Sequence, residues 1–408
     1  MRFLPAAVAL LSVGSLVACA SGPGPQSRFQ SAVEEIARRD RAGDWNADAC
    51  HRLSDEIGTL AAGELAGPAH LHAGLVLQRC GDHEQARARM QAAVTAEPSL
   101  QIARAQLALY EYDRSPMPAS LDRAIAELQK AVTQRPDPDL SADLGRLLLV
   151  RNRGAQGPGA SDASRAREHL EQALLFDPNH AAALHQLASY YVAQSRVPHD
   201  AMGSTLNLEQ ARAICLRIVQ HHPSYAPVYN TLGRIDVETG ELDAAATSFE
   251  RARSLDDTFV DAHLNLGSVS LTLRMAARAE EAFRRAIVIR PSSYDAWLGL
   301  AVALRMKATP EQLEQEVANI EHCLDRCAAI DAARPESWFN RAILYRDRAA
   351  ARPDPDLRHL SKALELLSSF LARAGQSPMH SEKVRQAHDL QRDIKQLMVF
   401  IQESRKVR

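Results

Sequence analysis

The sequence predicts an all-α chain, a solenoid of about eight helix pairs with capping helices at both ends. Hydrophobic residues make up 46% of the chain but aromatic residues only 5%, so Ala and Leu, both strong helix formers, supply much of the apolar share. Runs of alternating Val, Ile and Thr, which would indicate strands, are almost absent. Prolines recur after the helical segments, at Pro98, Pro136, Pro178, Pro223, Pro291 and Pro335.

The clearest repeat lies between residues 226 and 291. Identical residues recur there at an interval of 34 positions, in the pairs Gly233/Gly267, Ala245/Ala279, Phe249/Phe283 and Ala252/Ala286. This pattern resembles the tetratricopeptide repeat (TPR), a helix–turn–helix unit that buries its apolar face only by stacking on its neighbours. The resemblance implies a right-handed superhelix over residues 67–375, in which a glycine allows the two helices of a repeat to cross closely.

Several repeats carry extra residues between their first and second helices. The extra segments are residues 115–120, 154–162, 195–205, those near 309–310, and 351–356. We expect them to form a row of polar loops along one edge of the solenoid. Two interpretations stay open: insertions tolerated at a surface turn, or a second binding edge, because loops often carry function.

Residues 1–18 are predicted to be a lipoprotein signal peptide. Arg2 supplies the positive start, an apolar stretch follows that is short for a membrane span, and Leu16 to Cys19 resembles a bacterial lipobox. The thiol of Cys19 would accept the lipid, and several acyl chains would make membrane attachment stable. Residues 19–27 would then be the lipidated cysteine and a flexible tether, because they are rich in Gly, Pro and Ser.

Helical segments flank the predicted solenoid. Residues 28–66 are predicted to form N-terminal helices, and residues 376–408 a C-terminal capping helix. Within the latter, apolar residues form a narrow stripe at Ala387, Leu390, Ile394, Leu397 and Ile401. We expect this stripe to cover the last repeat; docking onto a partner is the alternative.

Five cysteines follow Cys19 in the sequence. Cys50 and Cys80 lie symmetrically about the predicted loop of a helical hairpin, so they either form a disulfide or remain two free thiols. Cys323 and Cys327 are one helical turn apart, for which core packing is favoured over a strained disulfide, and Cys215 is expected to be buried.

Composition and motifs argue against several functions. Lys and Arg number 48 against 50 Asp and Glu, so the chain lacks the basic excess typical of nucleic-acid binding. No phosphate-binding glycine loop, serine-hydrolase elbow or zinc-protease motif is present in the sequence. Neither a metal, a cofactor, a small-molecule substrate nor an enzymatic activity is expected.

The TPR resemblance implies a concave face built from the first helix of each repeat. By that resemblance, the inward-facing residues are Asp143, Arg146, His185, Gln186, Asn230, Arg234, Asp261, Asn265, Phe339 and Asn340. This set is mixed polar and poor in lysine, so it does not reproduce the clamp that holds free acidic C-termini. A peptide or helix of another protein is the predicted ligand.

Lipobox and repeats together are similar to TPR lipoproteins of adventurous gliding motility and, less closely, to pilot lipoproteins of type IV pili. That resemblance implies an outer-membrane lipoprotein facing the periplasm, which acts as a scaffold in assembling or localising an envelope machine. The alternative is an accessory subunit for envelope enzymes or for outer-membrane assembly, since architecture alone does not set function.

Overall fold

The structure is a computed structural model that describes residues 24–42, 45–154, 160–197, 201–351, 356–375 and 380–407. Over these ranges all regular secondary structure is helical, and the chain divides into two compact units, one ending at Pro223 and the other beginning at Ser224. The first unit contains α1 (Pro25–Ala42), α2 (Ala47–Gly58), a 3₁₀ turn (Gly63–Leu65), α3 (Ala66–Arg79), α4 (His83–Ala96), α5 (Gln101–Arg114), α6 (Pro118–Gln134), α7 (Pro138–Gly154), α8 (Ala160–Phe176), α9 (Ala181–Gln194) and α10 (Ala201–His221). The second unit contains α11 (Ala226–Glu238), α12 (Leu242–Leu255), α13 (Val260–Thr272), α14 (Ala276–Ile289), α15 (Tyr294–Lys307), α16 (Pro310–Ile330), α17 (Glu336–Ala350), α18 (Leu357–Ala374) and α19 (Ser381–Val407).

From α3 to α18 the described helices form eight consecutive pairs, four in each unit. The two helices of each pair pack side by side, and within a unit first helices of successive pairs also contact each other, as α7 does α9 and α11 does α13. The predicted fold class, all-α with stacked helix pairs, is therefore confirmed.

The landmark glycines of the repeat lie where helices approach closely. A Cβ atom at Gly233 in α11 would come within 2.6 Å of the Phe249 ring in α12. One repeat later, the Phe283 ring fills the space beside Gly267 of its own repeat and Gly299 of the next. Glycine at these positions therefore lets one buried ring hold two neighbouring pairs together.

The predicted row of polar loops is wrong in its main feature, because most of the extra residues that the structure describes are helical. Helix α6 begins at Pro118 and α16 at Pro310, so each second helix is lengthened at its start, from 14 residues in α12 to 21 in α16. Proline favours the first turn of a helix, because the N–H groups of that turn have no acceptor within the helix and proline loses no hydrogen bond there. At α16, the Thr309 hydroxyl also accepts a hydrogen bond from the Gln312 N–H at 3.4 Å.

The lengthening in the remaining pairs follows the same plan. Helices α8, α10 and α18 have 17, 21 and 18 residues. Of the residues predicted as loops, 155–159, 198–200 and 352–355 lie outside the described ranges. Those that the structure describes as non-helical are 115–117, 195–197, 309, 351 and 356.

The N-terminal segment is helical from an earlier residue than expected. The predicted signal peptide and Cys19 lie outside the described residues. Helix α1 begins at Pro25, so residues 25–27 belong to this helix and not to a flexible tether. The proline again explains the start, since its fixed φ suits the first helical turn.

A disulfide joins the hairpin formed by α2 and α3. Cys50 lies in α2 and Cys80 directly follows α3; the two are bonded, with their Cα atoms 6.4 Å apart. This separation lies within the range that a disulfide requires. Cys215, Cys323 and Cys327 are buried in the second helices of their pairs.

Helix α19 packs against α18 at the end of the second unit. Ala387, Ile394 and Ile401 are buried in one apolar cluster with residues of α17 and α18. Leu390 packs at the edge of this cluster, whereas Leu397 is 38% exposed. The stripe therefore covers the core of the last pair, apart from one position that faces solvent. Each helix in the described ranges is too short or too polar to cross a bilayer.

Candidate functional site

The ten predicted groove residues all lie on first helices of pairs and are divided between the two units. Four belong to α7 and α9 in the first unit, and six belong to α11, α13 and α17 in the second.

In the first unit, Arg146 joins two first helices. Its guanidinium donates to Asp143 at 3.3 Å within α7 and to Asp113 of α5 at 3.2 Å. Burial raises the pKa of Asp143, and the nearby charge of Asp113 adds to this effect, against the opposing charge of Arg146. His185 and Gln186 on α9 are half-buried.

In the second unit, the side-chain amides of two predicted groove residues contact each other. The Asn265 amide nitrogen donates to the Asn230 carbonyl oxygen at 2.8 Å, and this bond links α13 to α11. Asn230 is buried, Asp261 is exposed and Arg234 is half-buried. This face therefore presents an amide contact between repeats beside a mixed polar surface.

The assignment of Phe339 to the groove is wrong. This residue is only 8% exposed, and its ring centroid lies 5.2 Å from that of Phe370 inside the core of the last pair. A large apolar ring gains more from burial there than from facing a solvated groove. Its neighbour Asn340 is half-buried and donates its amide hydrogen to the Glu336 carbonyl oxygen at 2.9 Å.

The first unit contains a cleft of about 480 Å³ between α1, α3, α5 and the start of α7. One wall is apolar, and α1 contributes three side chains to it, Phe29, Val33 and Ile36. On the α3 side, Leu71 and Leu75 face the same cleft. Its volume falls within the range of about 300 to 1,000 Å³ that ligand sites usually have.

Side-chain contacts hold α1 in place beside α3. The ring of Phe29 meets the ring of His72 edge-on, with centroids 5.2 Å apart. At the other end of α1, Asp40 accepts two hydrogen bonds from the Arg79 guanidinium, at 2.7 and 2.8 Å. This paired geometry is the stronger form of a charged hydrogen bond, so α1 is a fixed wall of the cleft.

The opposite end of the cleft is acidic. Asp137, Asp139 and Asp143 line it from the start of α7, and the last two are one helical turn apart on the same face. Burial raises the pKa of Asp139, while the imidazole of His180, which lies 2.7 Å away, opposes this effect. The Asp137 carboxylate accepts a hydrogen bond from the Leu140 N–H at 3.0 Å and so caps α7.

Sequence reasoning found Asp143 but missed the cleft. The missing wall belongs to α1, where Phe29, Val33 and Ile36 follow one another at helical spacing. This stripe was a usable signal that the N-terminal helix packs against the repeats. The acidic end was hidden because Asp137 and Asp139 lie outside the positions that the repeat pattern marks as inward-facing.

The described residues offer little for chemistry. No group of His, Cys, Asp and Glu within them could hold a metal ion. Burial raises the pKa of the Cys323 thiol to about 11 and that of Cys327 to about 12, and a thiol that stays protonated is a poor nucleophile.

Comparisons with known proteins agree with the helix-pair architecture. The family model described as tetratricopeptide repeat matches residues 230–294, and no curated protein sequence matches the chain. A TPR protein of Thermus thermophilus is 23% identical over 50% of this chain and 98% of its own, with a TM-score of 0.44. Pseudomonas aeruginosa PilF is 18% identical, covering 61% and 96%, with a TM-score of 0.45. YrrB, a TPR protein with an unusual peptide-binding site, is 18% identical, covering 53% and 99%, with a TM-score of 0.38. Residues 230–294 are thus similar to the tetratricopeptide repeat.

Proposed function

We propose that this protein is an outer-membrane-anchored TPR lipoprotein that binds a peptide or helix of another envelope protein. In this role it is a scaffold that helps to assemble or localise an envelope machine of the gliding-motility or type IV pilus kind. The proposal of an anchor rests on the lipobox-like residues that end at Cys19. The observation that carries the binding role is the cleft between α1, α3, α5 and α7.

The cleft supports binding because it combines two kinds of surface. Its apolar wall can exclude water from a bound side chain, and its polar end can orient that segment through hydrogen bonds. The wall is made of helices that a disulfide and a paired Arg79–Asp40 contact hold in place. Because the wall is already formed, binding orders few further groups of the protein and loses little conformational entropy.

Crosslinking in living cells, affinity purification and mass spectrometry would identify the partner, with one cleft variant and one matched control. Leu75→Gln places a polar group in the apolar wall, and Leu216→Gln makes the same change on α10, where Leu216 is 56% exposed. We expect Leu75→Gln to lose most of the crosslinked partner, while Leu216→Gln retains it. Equal capture of every partner by both variants would reject the cleft as the binding site.

The anchor and the machine are tested separately. Cys19→Ser should abolish incorporation of labelled palmitate and release the protein from the membrane fraction. A fluorescent fusion should form discrete foci if the protein belongs to a localised machine. An even distribution around the cell would instead favour the alternative, a general accessory subunit of envelope enzymes or of outer-membrane assembly.

A further inference from the structure

The cleft in the first unit differs chemically from one end to the other. Apolar side chains of α1 and α3 line one wall, whereas Asp137, Asp139 and Asp143 gather where α7 begins. A ligand that fits both regions must itself be apolar on one side and polar at one end. The sign of the charges at the acidic end then decides which polar group it carries.

The cleft lining carries more carboxylates than guanidinium groups: Glu97, Asp137, Asp139 and Asp143 against Arg79 and Arg135. Arg79 lines the cleft, but its guanidinium makes two hydrogen bonds to Asp40. Arg146 donates to two carboxylates, those of Asp113 and Asp143. One guanidinium charge shared between two carboxylates leaves a net negative charge beside the cleft.

Burial makes this negative charge costly. The pKa of Asp143 is raised by burial and by the carboxylates of Asp113 and Asp139, and burial likewise raises the pKa of Asp139. A raised pKa means that the charged form is less stable than it would be in water. A cation that entered the cleft would stabilise both carboxylates in their charged form.

A second polar group also indicates that the ligand carries a hydrogen-bond donor. The carbonyl oxygen of the Gln101 side chain, at the start of α5 in the cleft lining, is buried and meets no hydrogen-bond donor in the described part of the chain. A buried acceptor without a partner costs about 1–3 kcal/mol. Rotation of the Gln101 side chain towards the cleft would let an N–H group of a bound ligand satisfy it.

On the premise that the cleft is the protein-binding site proposed above, we propose that it selects a cationic amphipathic segment. Apolar side chains of that segment pack against α1 and α3, and a Lys or Arg side chain reaches Asp137 and Asp143. The ammonium or guanidinium donates hydrogen bonds to these carboxylates, a type of contact that is stronger than one between neutral groups.

The probe is a library of random dodecapeptides displayed on phage and selected on the full-length protein in detergent. We expect selected peptides to combine Leu, Ile or Phe with Lys or Arg. Replacing the basic residue by Gln should weaken binding about tenfold, as loss of one charged hydrogen bond would, measured by fluorescence polarisation. Raising the salt concentration should weaken binding of the basic peptide more than binding of its Gln counterpart.

The matching protein variant is Asp137→Asn with Asp143→Asn. Asn can still cap α7 at residue 137, so the charge is removed with the cap retained, and circular dichroism and thermal melting verify the fold. We expect about tenfold weaker binding of the basic peptide and unchanged binding of its Gln counterpart. Asp177→Asn is the control, because Asp177 caps the turn before α9 through the Asn179 N–H at 3.0 Å and lies outside the cleft lining.

The outcomes separate this inference from the proposed function. In one outcome, the selected peptides bind the Leu75→Gln protein more weakly and yet bind the wild type equally well after their own Lys is replaced by Gln. That result would overturn the charge preference and leave the cleft as a binding site. Peptides enriched in Asp or Glu would overturn it as well. If no selected peptide is sensitive to Leu75→Gln, the cleft is not the binding site and both proposals fall.

Discussion

Replacing Gly267 by Ala tests the packing that joins successive repeats. In the middle of a helix, Ala is normally more stable than Gly by about 1 kcal/mol. Here the added Cβ would lie 2.7 Å from Cζ of Phe283, a ring that is only 2% exposed and cannot move away freely. Overpacking of this kind costs about 1–3 kcal/mol, so we expect a net loss of about 1 kcal/mol in the free energy of unfolding.

Urea unfolding followed by far-UV circular dichroism measures this loss. Gly58→Ala is the control, since a Cβ there would meet the far end of the Arg89 side chain at 2.9 Å, and that flexible group can move. We expect no loss of stability for this control, and partial recovery when Phe283→Leu is added to Gly267→Ala. If Gly267→Ala were as stable as the wild type, the argument that the ring requires glycine would be refuted.

Three further predictions concern the ends and the charged contacts. Replacing Cys50 and Cys80 by Ser should cost about 3.6 kcal/mol, the chain entropy of a loop with a sequence separation of 30; equal urea midpoints would contradict this. Burial lowers the pKa of His180, but Asp139 more than offsets this and the net pKa is raised. The stabilisation that protonated His180 provides is therefore complete below its pKa in the unfolded state, about 6.5, and is lost as the pH rises through its pKa in the folded state. The melting temperature of Asp139→Asn should therefore depend less on pH than that of the wild type. Ile394→Ala, at a position 1% exposed in α19, should destabilise the last pair by about 2–4 kcal/mol, and hydrogen exchange in α18 that remains at the wild-type rate would exclude a capping role.

The sequence predicted the helix pairs well because their signals are local. A glycine such as Gly233 and a ring such as Phe249 are 16 positions apart, within one repeat, and the spacing then recurs. The cleft was missed because it depends on contacts between distant residues. Arg79 and Asp40 are 39 positions apart, and no periodic pattern relates them.

The errors also have physical causes. Phe339 occupies a position that faces the groove in a standard repeat, but packing of α18 brings Phe370 against it, which repeat spacing does not report. The insertion pattern predicts loops at Pro118 and Pro310, where the structure has the starts of α6 and α16. Proline is equally suited to the first turn of a helix, and the residues that follow each proline decide which role it takes.

The lengthened second helices show which insertions this architecture can accept. Helices α4, α12 and α14 have 14 residues, α6 and α8 have 17, α18 has 18, and α10 and α16 have 21. The increments are thus close to one or two whole turns of about 3.6 residues. Each whole turn moves the start of the helix by about 5.4 Å along its axis and leaves that start on the side that faces the preceding helix. An insertion of one or two residues would begin the helix on its far side, and the chain would then need a longer connection to reach it.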